Sequence, residues 1–303
     1  MSTVIQVEHL RKVYGDTVAV DDISFEVEEG EIFGIVGPNG AGKTTAVESI
    51  IGLRRPDQGS ITVLGMNPMQ EENALQQRIG IQLQEAALPD RIKVWEALDL
   101  FASFYDHTVD WQPLLERWGL SDKRNARFGK LSGGQKQRLF IALSLLNDPE
   151  AVFLDELTAG LDPQARRSTW DLVRAIRNEG KTVILVTHLM DEAQELCDRV
   201  LIIDHGRIVA LDTPKALIKQ VQAESQISFT APRGFDPSPL EALPGVSRVS
   251  TEGNQVSVFG EGALLARVAT ALAQQDLIPD DLRSKQATLE DVFLALTGRE
   301  IRD

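Results

Sequence analysis

The chain has 303 residues with 45 acidic and 31 basic side chains, a formal net charge of -14; this exceeds the usual size of one hydrophobic core and predicts a main domain with an appendage. Hydrophobic residues at 43% and charged residues at 25% are ordinary globular values, and the acidic balance, with no basic run interleaved with aromatics, argues against nucleic acid as a partner. A lone cysteine, Cys197, excludes an internal disulfide and predicts a reducing compartment, while no signal-peptide pattern and no apolar run near the ~20 residues of a membrane span predict a soluble chain without direct membrane insertion.

Taken in chain order, "VIQVEHL" and "ISFEVEEGEIFGIVG" read as strands bracketing a turn at "YGD", residues 14 to 16. The second strand feeds into the loop "GPNGAGKTT" at 37 to 45. "KTTAVESIIG" then reads as a helix stopped by Gly52, and "RRPDQGSITVLG" as a turn followed by a strand. From about Glu85 to Asn147 the pattern is helical, with Trp95, Leu98, Ala102 and Tyr105 on one face and Leu114, Leu115 and Trp118 on another. "AVFLDE" is a short apolar strand, followed by a helix with Asp162 as N-cap and Pro163 at its first position. "KTVILVTH" is a further buried strand, and "VLIIDHGRIVAL" a hairpin turning at Asp204, His205 and Gly206. Continuous apolar strands alternating with helices predict an α/β fold with a mostly parallel sheet covered on both faces. Residues 1–221 form the main domain in this reading, with a helical subdomain at about 85–147. Residues 222–303 form a small α+β domain: an irregular entry through "SQISFTAPRGFDPSPLEALPGV", a hairpin, a helix, and a last helix with Thr288 and Asp291 spaced as a capping box.

The loop matches G-x-x-x-x-G-K-[ST] with a strand before and a helix after, the context that makes this motif a phosphate cradle. In the loop Gly37, Pro38, Asn39, Gly40, Ala41 and Gly42, the backbone N–H groups of the residues other than Pro38 would converge on phosphate oxygens, aided by the helix dipole. Lys43 would reach the β- and γ-phosphates, Thr44 would ligand Mg²⁺, and Thr45 would donate to a phosphate oxygen. At the end of "VFLDE", Asp155 would hold Mg²⁺ through water and Glu156 would orient or deprotonate the attacking water. His188, directly after the next strand, could reach the γ-phosphate. In "RIGIQLQEAAL", Gln84 could contact Mg²⁺ and the attacking water while acting as a hinge, with Gln82 as its rival. His9, His107 and His205 lack ligand spacing, and no zinc site is expected.

With "LSGGQKQRLFIALSLLNDPEAVFLDELTAGLD" assembled, the sequence resembles the nucleotide-binding subunits of ABC transporters across at least residues 3 to 220. The phosphate loop, the glutamine hinge, the signature LSGGQ at 131 to 135, the acidic strand end, "AGLD" at 159 to 162, and His188 occur in family order. The resemblance implies a P-loop ATPase core with an N-terminal antiparallel β subdomain, ATP and Mg²⁺ as cofactors, and a second ATPase subunit closing head to tail. In that arrangement Ser132, Gly133, Gly134 and Gln135 bind the nucleotide held by the other copy, Asp162 contributes beside them, and Tyr14 stacks on adenine. Leu157 departs from the proline usual at its position, which is expected to alter loop stiffness rather than chemistry. The segments "DEAQELCDRVLIIDHGRIVALDTPKAL" and "ATLEDVFLALTGRE" look like the drug-export branch typified by daunorubicin-resistance ATPases. That implies a cytoplasmic subunit, peripheral on the membrane, powering export of a hydrophobic or amphiphilic compound through separate transmembrane permease subunits that dock on the helical insertion. Soluble ABC ATPases acting on ribosomes or DNA are the competing class; they tend to carry tandem cassettes, zinc motifs or coiled coils, none of which is evident.

Overall fold

The computed structural model describes residues 2–84, 86–220, 225–232, 234–285 and 287–298. Two compact units emerge, one formed by Met1–Pro214 with the segment from Leu296, the other by Lys215–Ala295. The expected junction at 221–222 and the expected start of the helical insertion at Glu85 lie outside the described residues.

In the first unit, β1 (Thr3–Tyr14) and β2 (Thr17–Glu28) form an antiparallel hairpin. Ile23, Phe25 and Val27 alternate inward along β2, the period expected of a strand with one buried face. β3 (Ile32–Val36) is buried along its whole length and runs into α1 (Lys43–Ile50), after which β4 (Gln58–Val63) pairs with β1 to complete a three-stranded sheet β2-β1-β4. Gly52, at φ 88, takes the left-handed conformation that ends the α1 segment. α2 (Glu72–Gln76) and β5 (Ile79–Gln82) lead into the helical stretch α3 (Val94–Ala102), α4 (Trp111–Arg117) and α5 (Gly133–Ser144). Leu114, Leu115 and Trp118 are buried as their spacing predicts. The face of α3 differs from expectation: Val94, Ala97 and Leu98 are its buried residues, and the helix ends at Ala102, so Tyr105 lies beyond it.

The strand-helix series then resumes with β6 (Ala151–Asp155), α6 (Pro163–Asn178), β7 (Thr182–Thr187), α7 (Met190–Leu196), β8 (Arg199–Asp204) and β9 (Arg207–Asp212). Together they build a six-stranded sheet ordered β5-β6-β7-β3-β8-β9, parallel except for the antiparallel edge strand β9. The strands β3, β6 and β7 are buried at every position, as continuous apolar strands covered on both faces must be. Asp162 caps α6 by accepting from the Gln164 and Ala165 N–H groups, with Pro163 at the first turn.

The second unit opens with α8 (Pro214–Gln220), whose first residue belongs to the preceding unit, and continues as β10 (Ser225–Thr230), α9 (Ser238–Glu241), β11 (Val246–Glu252), β12 (Gln255–Gly260), α10 (Leu264–Gln274) and β13 (Arg283–Lys285). From β10 this is a β-α-β-β-α-β order on an antiparallel sheet arranged β11-β12-β10-β13. The stretch read as an irregular entry is a correction: Ile227 and Phe229, both fully buried, make β10 a central strand of this sheet. Only two apolar residues alternate there, among glycine and proline signals that dominate a reading of the sequence alone. α11 (Leu289–Thr297) begins with the expected box, in which Thr288 N donates to Asp291 Oδ2 at 2.9 Å and Asp291 N to Thr288 Oγ1 at 3.4 Å.

β5 sits against the last turn of α5 because Gly80 has no side chain: a Cβ there would lie 2.0 Å from the Ser144 carbonyl oxygen and 3.1 Å from Pro149 Cγ. Gly80→Ala should therefore destabilise the chain by about 2 kcal/mol, within the range seen for overpacking, read as a lower urea midpoint with an unchanged m-value. A midpoint equal to that of the unaltered chain would mean that the contact relaxes freely.

Candidate active site

The phosphate loop leaves the sheet between β7 and β8, because β3 lies there and ends at Val36. Two glycines are fixed by what surrounds them. A Cβ on Gly37 would lie 2.1 Å from the Ile203 carbonyl oxygen, and one on Gly42, at φ 102, would lie 2.3 Å from the Ala19 carbonyl oxygen. Ala41 N donates to Pro38 O at 3.1 Å, and Gly206 N, in the β8–β9 turn, donates to Ala41 O at 2.9 Å. The loop thus has a rigid back, with Lys43 and Thr44 opening α1 behind it.

Lys43 is 6% exposed; its Nζ donates to Gly37 O at 2.7 Å and Pro38 O at 3.2 Å and stands 3.8 Å from Glu156 Oε1. Parallel pairing of β3, β6 and β7 brings the ends of all three strands to one edge, so Asp155, Glu156 and His188 arrive beside that lysine. His188 Nδ1 is 2.6 Å from Glu156 Oε2. Glu156 has a φ of 50, a left-handed backbone that a non-glycine residue rarely adopts, and its N–H donates to Val186 O at 2.8 Å. Leu157, the departure from the family proline, is buried directly after it.

Burial dominates the charges of this cluster. It pushes the Asp155 carboxyl up to about 6, helped by the neighbouring Glu156 carboxylate and opposed by Lys43. Burial also lowers Lys43, against the attraction of Glu156 and Asp155. Asp155 Oδ1 is buried with no hydrogen-bond partner. A buried carboxylate oxygen left without a donor beside a second carboxylate fits a divalent cation, a hard ion that takes oxygen ligands.

The other expected residues occupy separate places. Ser132 caps α5 in a capping box: Gln135 N donates to Ser132 Oγ at 3.3 Å, and Ser132 N to Gln135 Oε1 at 2.9 Å. Gly133 and Gly134 follow it beside Leu161 and Ala165 of the same chain. Gln84 is exposed in a turn after β5, whereas Gln82 is buried at the strand end and donates to Leu83 O at 2.9 Å. Tyr14, 40% exposed at the end of β1, is flanked by Lys12 Nζ at 5.5 Å and Arg54 Cζ at 5.3 Å from its ring centroid. The sequence reading passed over Arg54, although a basic residue just after the α1 segment is a plain signal once α1 and β1 are known to be neighbours.

The profile of the ABC transporter family matches residues 20–159, from β2 to just past Glu156. The Nod factor export ATP-binding protein I of Burkholderia orbicola (strain AU 1054) is 38% identical over 310 residues, covering 99% of this chain and 98% of that protein. The chain belongs to the ATP-binding subunits of ABC transporters. The Nod factor export ATP-binding protein I of Rhizobium etli (strain ATCC 51251 / DSM 11541 / JCM 21823 / NBRC 15573 / CFN 42) is 38% identical over 306 residues, covering 99% of this chain and 95% of that one. A solved ATP-binding subunit of an ABC transporter aligns with a TM-score of 0.66 at 27% identity, covering 72% of this chain and 93% of that one. The cbiO1 protein from Clostridium perfringens, part of the ABC transporter complex cbiONQ, aligns with a TM-score of 0.64 at 28% identity, over 73% and 95% of the two chains. As an ABC ATPase, the chain binds and hydrolyses ATP, in a family whose subunits work with membrane permeases and usually dimerise. Among the described residues no helix is long and apolar enough to cross a membrane.

Because the folded Asp155 holds its proton up to about 6 against an ordinary value of 3.8, the folded chain binds more protons than the unfolded one between those values. Stability of this ABC ATPase, free of Mg²⁺ and nucleotide, therefore falls as pH rises from about 4 to 6, by about 3 kcal/mol from this group. Asp155→Asn should remove that component, so the variant gains on the unaltered chain above pH ~6 and loses the advantage below pH ~4. Urea midpoints across that range check it, and parallel pH profiles would contradict it.

Proposed function

We propose that this subunit drives export of a hydrophobic or amphiphilic compound through separate permease subunits, using ATP held between two copies of the chain. One observation carries the reading. A Cβ on Gly133 would meet Leu161 Cδ2 only at 4.0 Å, and one on Gly134 would meet Ala165 Cβ at 3.8 Å, both ordinary contact distances, and neither glycine has a positive φ. No described neighbour within the chain demands glycine there, so the bare helix start serves a group that arrives from outside. Exposed N–H groups and the dipole of the 12-residue α5 suit an anion, and the nucleotide on a second copy supplies one. The export direction follows the relatives named for Nod factor export; the drug-export resemblance of residues 191–217 and 287–300 gives the compound class.

In this mechanism the loop from Gly37 to Thr45 cradles the phosphates, and Lys43 turns from the Gly37 and Pro38 carbonyls toward the transferring group. Thr44, Asp155 and Gln84 would hold Mg²⁺, which would supply charge neutralisation when bound. Glu156 orients or deprotonates the attacking water, and His188, 2.6 Å away, reaches for the γ-phosphate. Tyr14 stacks on the adenine, while Ser132, Gly133, Gly134, Gln135 and Asp162 complete the site of the opposite copy. The permease docks on the helical insertion, where Leu100 and Phe104 are 47% and 63% exposed. With a net charge of -14, the surface disfavours direct attachment to anionic lipid.

Glu156→Gln should retain ATP binding and lose hydrolysis by at least ~100-fold, leaving a closed dimer visible by light scattering in ATP. A variant that stays monomeric or turns over normally removes Glu156 from this role.

The shared site is tested with two inactive proteins. Lys43→Ala breaks only the phosphate loop, and Ser132→Arg places bulk and charge at the start of α5. In a mixed dimer one site is whole and the other doubly broken, so mixing should restore roughly a quarter of the unaltered activity if the sites act independently. No recovered activity and no ATP-dependent heterodimer in a tagged pull-down would refute the shared site.

A further inference from the structure

Glu192 on α7 is 0% exposed, and a carboxylate so deeply buried is costly unless donors surround it. Its Oε1 accepts from Thr158 Oγ1 at 2.8 Å and from Trp170 Nε1 at 3.1 Å, the nearby Thr187 side chain also favours its ionised form, and its Oε2 is buried with no hydrogen-bond partner. Burial works the other way and outweighs them, so the carboxyl stays above its ordinary range. These side chains come from three separate segments. Thr158, itself 0% exposed, lies in the β6–α6 loop just beyond Glu156. Trp170 lies on α6, whose N-cap Asp162 ends that loop. Thr187 ends β7 immediately before His188, and its Oγ1 accepts from Leu189 N at 3.0 Å.

From the first turn of α7, this buried carboxyl group therefore ties the end of the β7–α7 loop to Thr158 of the β6–α6 loop, and those two loops deliver the 2.6 Å Glu156–His188 pair. A hydrophobic side chain of similar volume would fill the space at lower energetic cost but could not hold two loops in fixed register, since dispersion contacts have no direction. The Glu156 backbone is already in its rare left-handed form and needs such over-determination to persist. We propose that Glu192 is a positioning residue for ATP hydrolysis, clamping the β6–α6 and β7–α7 loops so that Glu156 and His188 keep their mutual geometry. The inference rests on the roles given above to Glu156 and His188.

Purified full-length variants test it by separating turnover from nucleotide affinity. Glu156→Gln serves first: if it hydrolyses ATP normally, the site reading itself fails, whatever position 192 does. With that established, Glu192→Ala should lower kcat by about 10- to 100-fold while leaving the ATP Kd within about twofold. Glu192→Gln, which retains an acceptor for Thr158, should recover kcat to within about threefold of the unaltered chain. On a His188→Ala background, adding Glu192→Ala should cost less than about twofold further, because residues acting through one pair are not additive. The proposal is overturned by a Glu192→Ala kcat within twofold of the unaltered chain, by kcat and affinity falling in parallel, or by full additivity with His188→Ala. Should Glu192→Ala fail to fold, Thr158→Val decides by the same criteria, with an expected kcat loss of about three- to tenfold.

Discussion

A buried lysine facing two buried carboxylates is the constraint around which the first unit is arranged. Lys43, Asp155 and Glu156 are each less than a tenth exposed, and charges in such a place are tolerated only when their partners are held at short range. Parallel strands meet that requirement without any long-range coincidence. Once β3, β6 and β7 pair in register, residues one or two positions past their ends must converge. The register itself is set by continuous apolar runs buried on both faces, so the hydrophobic pattern of the sheet determines the distance between chemical groups that contribute nothing to that pattern.

The same logic explains what could be read without coordinates. The loop at 37 to 45, the acids at 155 and 156 and His188 are legible because each follows a short apolar strand, and strand ends are where a parallel sheet puts its polar groups. The α6 cap at Asp162 and the box at Thr288 and Asp291 are legible because capping is local chemistry, complete within three or four residues. Other features depend on contacts far apart in sequence. β10 has only Ile227 and Phe229 to announce it, and its strand character comes from pairing with β12 and β13. β13 spans only three residues, all exposed, and carries no apolar signal at all.

Glu192 shows the limit most clearly. In sequence it is one of several acids on a short helix after His188, indistinguishable from its exposed neighbours Asp191 and Glu195. Only the packing of α7 against α6 and β7 turns it inward, where a threonine and a tryptophan from other segments meet it. Polar residues buried among apolar ones are invisible to a periodicity argument, because such an argument assigns every charge to the solvent side.

The hydrogen bond from Gly206 to Ala41 carries a different implication. His205 and Gly206 both have positive φ, forming the tight turn between β8 and β9, and Gly206 packs so near Ala19 that a Cβ would lie 2.8 Å from its carbonyl oxygen. That turn holds the phosphate loop through the Ala41 carbonyl. The loop's shape is thus set when the hairpin folds, and the ordering entropy that a floppy cradle would lose on capturing its ligand has already been spent. Nucleotide affinity in this chain is in part a property inherited from a hairpin outside the phosphate loop.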